Sequence, residues 1–291
     1  MSISFEGRVA IVTGAGGGLG REHALALARR GAKVVVNDLG PGAEAVASEI
    51  QAAGGQAMAV LSSVTDFAAV QAMVKQTMDT WGRVDILVNN AGILRDKSFS
   101  KMDLADFKLV VDVHLMGAVN CCKAVWDIMR AQKYGRIVNT TSSSGLFGNF
   151  GQANYGAAKM ALVGLMQTLS IEGAKDNVRV NCLAPTAATQ MTEGLMPQAV
   201  LDKLAPSAVT PGLLYLVSED APSRVILNAG AGTFARSYVT MTHGVHIGTG
   251  ADADDQVAAQ FEAISSREEE VVPQSGSEQG RNEVGQAMAA G

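Results

Sequence analysis

The stretch "VAIVTGAGGGLGREHALALARRG", residues 9 to 31, decides the fold. An apolar β-rich run leads into a glycine-rich turn, and an alanine- and leucine-rich segment with helical character follows and stops at a glycine. Gly14, Gly18 and Gly20 therefore lie between a first strand and a first helix. Glycines allow a tight turn and close backbone approach, while the helix aims free N–H groups and its positive dipole end at an anion such as a pyrophosphate. A glycine loop alone is a weak signal. Here the next apolar run, "KVVVND" at residues 33 to 38, ends in Asp38, the acidic position that can bind adenosine ribose hydroxyls. Asp38 also reads as a turn residue ahead of Gly40 and Pro41. In the ribose-binding reading its carboxylate repels a 2′-phosphate, and "TGAGGGLG" holds no basic residue to offset it, so NAD is favoured over NADP. Arg21 and Lys33 read as solvated helix and strand-edge charges.

Outward from this unit, short apolar runs alternate with longer helical ones. After the first two strands come "QAMAVLSS", "VDILVNNAG", "GRIVNTTSS", "VRVNCLAP" and "SRVILNAG", nearly continuous in apolar residues, as strands buried on both faces require. Between them lie segments such as "GAEAVASEIQAAGG" and "TDFAAVQAMVKQTMDTWG", which end at glycine. The order predicts an α/β fold, a single Rossmann-type doubly wound parallel sheet of about seven strands. The domain is expected over residues 1–250, with a C-terminal extension over 251–291. Val257, Phe261 and Ile264 share a stripe after the acidic start at Asp252, Asp254 and Asp255, which predicts one helix from about Asp252 to Ser266. The segment "QSGSEQGRNEVGQAMAAG" is small, polar and aperiodic, and is expected to be mobile unless a neighbour orders it.

Composition narrows the function classes. The 291 residues, 47% hydrophobic and 18% charged, suit one large α/β domain or two small ones, of which one domain is the simpler reading. With 23 basic and 28 acidic residues the net charge is −5, no electrostatic footprint for nucleic acid. Cys121, Cys122 and Cys182 are too few and too poorly spaced for a zinc site or a disulfide framework, so no metal is expected and a reducing compartment is. No secretory core or peroxisomal tripeptide shows at the ends, and no apolar run looks long enough to span a bilayer. The expectation is a cytoplasmic protein that engages neither membrane nor nucleic acid.

Within "GNFGQANYGAAKMALVG", residues 148 to 164, Tyr155 and Lys159 stand four apart, just over one helical turn, so both share a face if the segment is helical. A positive charge beside a phenol favours the phenolate and makes an acid or base near neutral pH. By itself the pair is also compatible with an incidental contact on an exposed helix.

Three motifs in order change its weight. "TGAGGGLG", "NNAG" at 89 to 92 and "YGAAK", with Ser142 thirteen positions before Tyr155, resemble the short-chain dehydrogenase/reductase family over about residues 5 to 235. The resemblance implies that Tyr155 exchanges a proton with the substrate oxygen while hydride passes to or from the nicotinamide. It gives Lys159 two tasks, lowering the pKa of Tyr155 and holding the nicotinamide ribose, and has Ser142 hydrogen-bond the reacting oxygen. It places the cofactor against Gly14, Gly18, Leu19, Gly20, Asp38, Ser63, Val64, Asn90, Ala91, Gly92, Pro185 and Thr186, besides Tyr155 and Lys159.

Two positions depart from the family pattern. His114 in "VVDVHLMGAVN" stands where many members carry a relay asparagine, and it reads either as a relay member with its own pH response or as a core histidine. Pro185-Thr186 stands where Pro-Gly is usual. Both recur in the (3R)-hydroxyacyl-CoA dehydrogenase part of peroxisomal multifunctional enzymes and their bacterial relatives, which "VVVNDLG", "NNAGILRDKSF", "YGRIVNTTSSSGLFGNFGQANYGAAK" and "LAPTAATQMTEG" also resemble. That closer resemblance implies NAD-linked chemistry on a 3-hydroxyacyl-CoA; a steroid or other secondary alcohol, or an NAD-binding module without turnover, are the alternatives. In "PTAATQMTEGLMPQAVLDKLAPS", Met191, Leu195, Met196, Leu201 and Leu204 form either an apolar wall for an acyl chain or ordinary packing. The resemblance further implies a homodimer or homotetramer formed through helices near residues 103–130 and 154–174.

Overall fold

The computed structural model of the chain describes residues 2–188 and 198–290. Its contacts divide into two compact units, Met1–Arg236 and Ser237–Gly291.

The first unit alternates strand and helix, as the apolar runs predict: β1 (Val9–Thr13), α1 (Gly18–Arg29), β2 (Lys33–Asp38), α2 (Gly42–Ala52), β3 (Gln56–Leu61), α3 (Phe67–Trp81) and β4 (Ile86–Asn89) come first. Then follow α4 (Leu104–Val111), α5 (Gly117–Gln132), β5 (Gly135–Thr140), α6 (Ser143–Phe147), α7 (Ala153–Gly173) and β6 (Val178–Thr186). After α8 (Gln198–Leu201) and α9 (Thr210–Leu216), β7 (Ile226–Gly230) and β8 (Thr233–Ser237) close the sheet. Its order is β3-β2-β1-β4-β5-β6-β7-β8, and the pairings from β3 through β7 are parallel.

Each central strand is buried on both faces, and its alternating side chains feed two cores. On one side Val12, Val34 and Val88 meet Leu27 of α1, Ile50 of α2 and Leu213 of α9. On the other, Ile11, Leu87 and Ile137 meet Met73 of α3, Val125 of α5 and Met166 of α7. Helices thus cover both faces. The chain winds outward from β1 in one direction and from β4 in the other, so a crevice opens between the carboxyl ends of these neighbours, where ligands of such sheets bind.

The sheet has eight strands where about seven are expected. The eighth follows a two-residue turn at Ala231 and Gly232, both at positive φ, 50° and 73°. None of the residues of "TFARS" is buried, so the strand carries no apolar signature. A second difference lies in α4 and α5, which a π-helical segment at Asp112–Met116 joins into one continuous stretch, Leu104–Gln132. By length and mean hydropathy, 1.3 over its most apolar window, this is the one described helix long and apolar enough to cross a membrane, contrary to the sequence expectation. Of its buried side chains, Cys121, Cys122, Val125 and Met129 belong to the sheet's core.

In the second unit Met241 and Val271 form an antiparallel bridge, their N–H groups reaching each other's carbonyls at 3.0 and 2.9 Å. Thr242 Oγ1 donates to Ile264 O at 2.8 Å. The boundary expected at residue 250 therefore falls inside this unit. The helix expected from about Asp252 to Ser266 is interrupted at Gln260, giving α10 (Ala253–Ala259) and α11 (Phe261–Ile264), with Val257 and Phe261 exposed. The end of the chain, expected to be mobile unless ordered, forms α12 (Ser277–Ala290). Polar pairs hold it: Gln279 Nε2 donates to Glu283 at 2.8 Å, and Asn282 and Gln286 both donate to His243 O, at 2.9 and 2.7 Å.

Candidate active site

The crevice collects the glycine loop, Asp38 and the segment after β4. Gly14 sits at φ +62°, and a Cβ there would lie 2.7 Å from Ala91 Cα; at Gly20 it would lie 2.2 Å from Gly14 O. Only glycine fits these positions, which draw the loop onto residues 90–92. Asn90 locks the arrangement, its Nδ2 donating to Thr13 O at 3.0 Å and Gly14 O at 3.1 Å. Thr13 Oγ1 in turn accepts from the N–H groups of Asn90 and Ala91, both at 3.1 Å. The Asn90 side chain is thus a brace for the loop, and Thr13 is its partner, which sequence reading missed although it stands inside the motif. Gly17, beside the opening of α1 at Gly18, Leu19 and Gly20, has nothing within 4 Å of a would-be Cβ, so the approach to the helix start is open.

Asp38, at the end of β2, accepts from Gly16 N at 2.8 Å through Oδ2 and from Leu39 N at 2.7 Å through Oδ1. Arg21, the first basic residue after the glycine loop, is engaged by Glu49 at 2.6 Å. At the end of β3, Ser63 bonds Thr65 within its own turn, while Val64 is buried and its carbonyl accepts from Asn120 Nδ2 at 2.9 Å. Pro185 and Thr186 end β6, in register with Ala229 and Gly230. Open space at the helix start, a glycine cradle and a carboxylate at the end of β2 fit a dinucleotide, with pyrophosphate at α1 and ribose at Asp38.

The chemistry-bearing side chains lie at the ends of β4 and β5 and on α7. Ser142 is buried at the start of α6, and its Oγ accepts from Ser144 N at 3.2 Å. Tyr155 is in the first turn of α7. Burial holds its phenol above the ordinary range; a hydrogen bond with Ser142 pulls it down, and the Asp96 carboxylate pushes it up. Lys159 is buried one turn on, with Nζ 5.4 Å from the centre of the Tyr155 ring and donating to Thr140 O at 2.5 Å. Burial brings its ammonium down to about 7. This differs from the sequence argument, in which the lysine lowers the tyrosine: both groups are withdrawn from water, and desolvation disfavours the charged form of each.

His114 is buried in the π-helical segment, with Nε2 between the N–H and C=O of Ile93 at 3.1 and 2.8 Å and Nδ1 without a protein partner. Its ring meets that of Tyr155 edge-on, centroids 5.1 Å apart. Burial first, then the neighbouring Lys159, lowers it to about 3, so it is neutral at working pH. Gly92 leaves room for the ring, since a Cβ there would lie 2.3 Å from His114 Cε1. Thr13, Asn89, His114 and Lys159 are among the walls of a cavity of about 10 Å³, the size of one water molecule. His114 is therefore both a core residue and a neighbour of the reactive pair.

Of the expected apolar wall, Met191, Leu195 and Met196 lie outside the described residues. Leu201 is half-buried, and Leu204 is buried with its carbonyl accepting from Ala188 N at 2.6 Å, a packing role. Sequence reading also missed Asn154, fully buried, which donates to Arg95 O at 3.0 Å and accepts from Tyr155 N.

The short chain dehydrogenase family profile matches residues 8–199. The chain belongs to that family. Among curated proteins, the peroxisomal hydratase-dehydrogenase-epimerase of Saccharomyces cerevisiae is 50% identical over 246 residues, 81% of this chain and 27% of the yeast protein. Among solved structures, the full-length peroxisomal multifunctional enzyme type 2 of Drosophila melanogaster superposes with a TM-score of 0.84 at 37% identity, over 99% of this chain and 50% of that one. A 7α-hydroxysteroid dehydrogenase complexed with NADH and 7-oxo glycochenodeoxycholic acid superposes at 0.74 with 31% identity, over 79% of this chain and 95% of that one. The chain thus spans half or less of the first two relatives. It is an oxidoreductase acting on a secondary alcohol, of a family that binds NAD(P).

Proposed function

We propose that the chain uses NAD(H) to interconvert the 3-hydroxy and 3-oxo groups of an acyl-CoA-type substrate. The observation that carries the chemistry is the cluster of Ser142, Tyr155 and Lys159 at the carboxyl ends of the strands, beside the glycine cradle. The substrate class rests on relatives named hydratase-dehydrogenase-epimerase and multifunctional enzyme, 50% and 46% identical over 246 and 273 residues. NAD over NADP rests on Asp38, whose carboxylate opposes a 2′-phosphate while Arg21 is engaged elsewhere.

When bound, the dinucleotide takes or gives the hydride at its nicotinamide ring. Tyr155 is the group that holds or accepts the proton at the substrate oxygen, and Ser142 donates to that oxygen as negative charge develops. Lys159, anchored on Thr140 O, holds the ribose side of the site, and the small cavity between it and His114 provides a water-sized link in a proton path. A second copy supplies the assembly: Leu104, Leu109, Met116, Met160 and Ile171 are exposed apolar residues on the long helix and α7, which suits pairing through these helices.

The test is formation of the reduced dinucleotide, NADH from NAD or NADPH from NADP, against a panel of 3-hydroxyacyl-CoAs and hydroxysteroids, in the wild type and in Asp38→Ser. Preference for NAD and for acyl-CoAs is expected, with the cofactor preference weakened in the variant. The solved steroid dehydrogenase makes hydroxysteroids the second reading, and their preferential turnover would replace the first. Dinucleotide binding with no turnover of any secondary alcohol would leave only a binding module.

A further inference from the structure

The segment after β4 flanks the reactive pair and is fastened at three points to the connector between α6 and α7 and to the first turn of α7. Lys97 N donates to Gly151 O at 2.9 Å, Asn154 Nδ2 donates to Arg95 O at 3.0 Å, and Gln152 Nε2 donates to Asp96 Oδ2 at 2.7 Å. The Gln152 amide also reaches back to the serine side, because its Oε1 accepts from Ser144 Oγ at 2.7 Å and from Asn149 Nδ2 at 3.0 Å. This orientation is dictated by the partners. An ionised carboxylate only accepts, so the amide must turn its NH₂ to Asp96 and its oxygen to the Ser144 and Asn149 donors.

Gln152 therefore spans from Asp96 to α6, whose first turn is capped by Ser142, and it stands three residues before Tyr155. We infer that Asp96 and Gln152 form a strut, charged at its Asp96 end, that positions Tyr155 against Ser142. Asp96 and Gln152 are positioning residues; neither touches the reacting atoms. The inference rests on the dehydrogenase reading of this site.

The titratable groups around Tyr155 come from three elements. Lys159 comes from α7, His114 from the π-helical segment, where it is neutral, and Asp96 from the segment after β4. The flanking Arg95 is directed to Asp106, 3.6 Å away. Among the described residues, Asp96 is the carboxylate whose field acts on the phenol and disfavours the phenolate. Asp96 is exposed, so water and salt screen this effect.

Two variants separate the charge from the strut. Asp96→Asn keeps an acceptor for Gln152 Nε2 and loses the charge; Gln152→Ala keeps the charge and loses the strut. The readouts are the pH profile of kcat for alcohol oxidation and, without turnover, the titration of the Tyr155 Cζ resonance in tyrosine-labelled protein, assigned with Tyr155→Phe. For Asp96→Asn, Tyr155 should ionise at a pH lower by about 0.3 at low ionic strength, with the difference shrinking in about 1 M salt. For Gln152→Ala, kcat should fall on the order of tenfold with the KM for dinucleotide and the melting temperature held. A Tyr155 titration unmoved in Asp96→Asn at low salt, or a wild-type kcat in Gln152→Ala, overturns the inference. If no alcohol is turned over, the dehydrogenase reading fails on its own, while the resonance still reports whether Asp96 acts on Tyr155.

Discussion

Lys159 Nζ donates to the carbonyl of Thr140 at 2.5 Å, two residues before Ser142, and Thr141 Oγ1 donates back to Lys159 O at 2.7 Å. These two bonds stitch the end of β5 to the first turns of α7. They hold Ser142 and Tyr155, which come from different elements, on one frame. Lys159 is therefore a structural tie as well as a charge, and its removal affects more than a pKa.

Tyr155 separates from that tie. Tyr155→Phe keeps the ring, its edge contact with His114 and the fold of α7, and deletes only the phenolic hydroxyl with its hydrogen bond to Ser142. Turnover should fall by about 10²- to 10⁴-fold, with dinucleotide affinity unchanged by titration of NADH fluorescence. Retention of more than about a tenth of wild-type turnover sinks the assignment.

Lys159 makes a prediction on stability. Its ammonium ionises at about 7 in the folded chain and at the ordinary lysine value of 10.5 once exposed. Between these values the unfolded chain holds a proton that the folded chain has released, so stability rises with pH across that window. Lysine to methionine at this position removes the contribution. Chemical denaturation of both proteins from pH 7 to 10 should show the wild type gaining on Lys159→Met by up to about 1.4 kcal/mol per pH unit. A difference that is flat with pH means Lys159 is not desolvated.

Much of this frame is legible in the chain, for reasons that can be located. β1, β2 and β4 are continuous apolar runs because both their faces are covered, and Gly14 and Gly20 are fixed by contacts that no other residue survives. Asn154, Gln152 and Asp96 carried no such mark, because their roles come from a meeting of two loops distant in sequence. β8 and α12 were missed for the opposite reason. Neither buries a residue, so neither has the periodicity by which elements are recognised, and α12 is held by polar pairs one turn apart. The depressed Lys159 likewise depends on burial, which the Y-x-x-x-K spacing does not encode.

His114 gives an acid-side prediction. The ring ionises at about 3 in the folded chain against 6.5 when exposed, so it stays neutral in the fold while the unfolded chain takes up a proton. Stability attributable to it is complete above 6.5 and is lost as pH falls toward 3. His114→Asn lacks this term, so from pH 6.5 to about 4 its melting temperature should fall less steeply than that of the wild type. The acid limb of kcat should be the same in both proteins. A steeper loss in the variant, or a displaced acid limb, would contradict a neutral His114.

The last prediction concerns the second unit, in which the folded ends are joined through one carbonyl. His243 O accepts from both Asn282 and Gln286 on α12, and His243 lies two residues after Met241, whose bridge to Val271 closes the unit. Removing residues 281–291 deletes both donors and most of the helix, and a four-residue remnant cannot sustain a helix alone. The carbonyl then turns to water, and the bridge loses its support on that side. Amide exchange at Met241 and Val271 should accelerate in the truncated chain, by an amount corresponding to about 1 kcal/mol for each lost bond. Exchange in β1, β4 and β5 should stay as it is, because their protection comes from the sheet's own two cores. Identical exchange at Met241 and Val271 in the full and shortened chains would show that α12 does not hold the unit together.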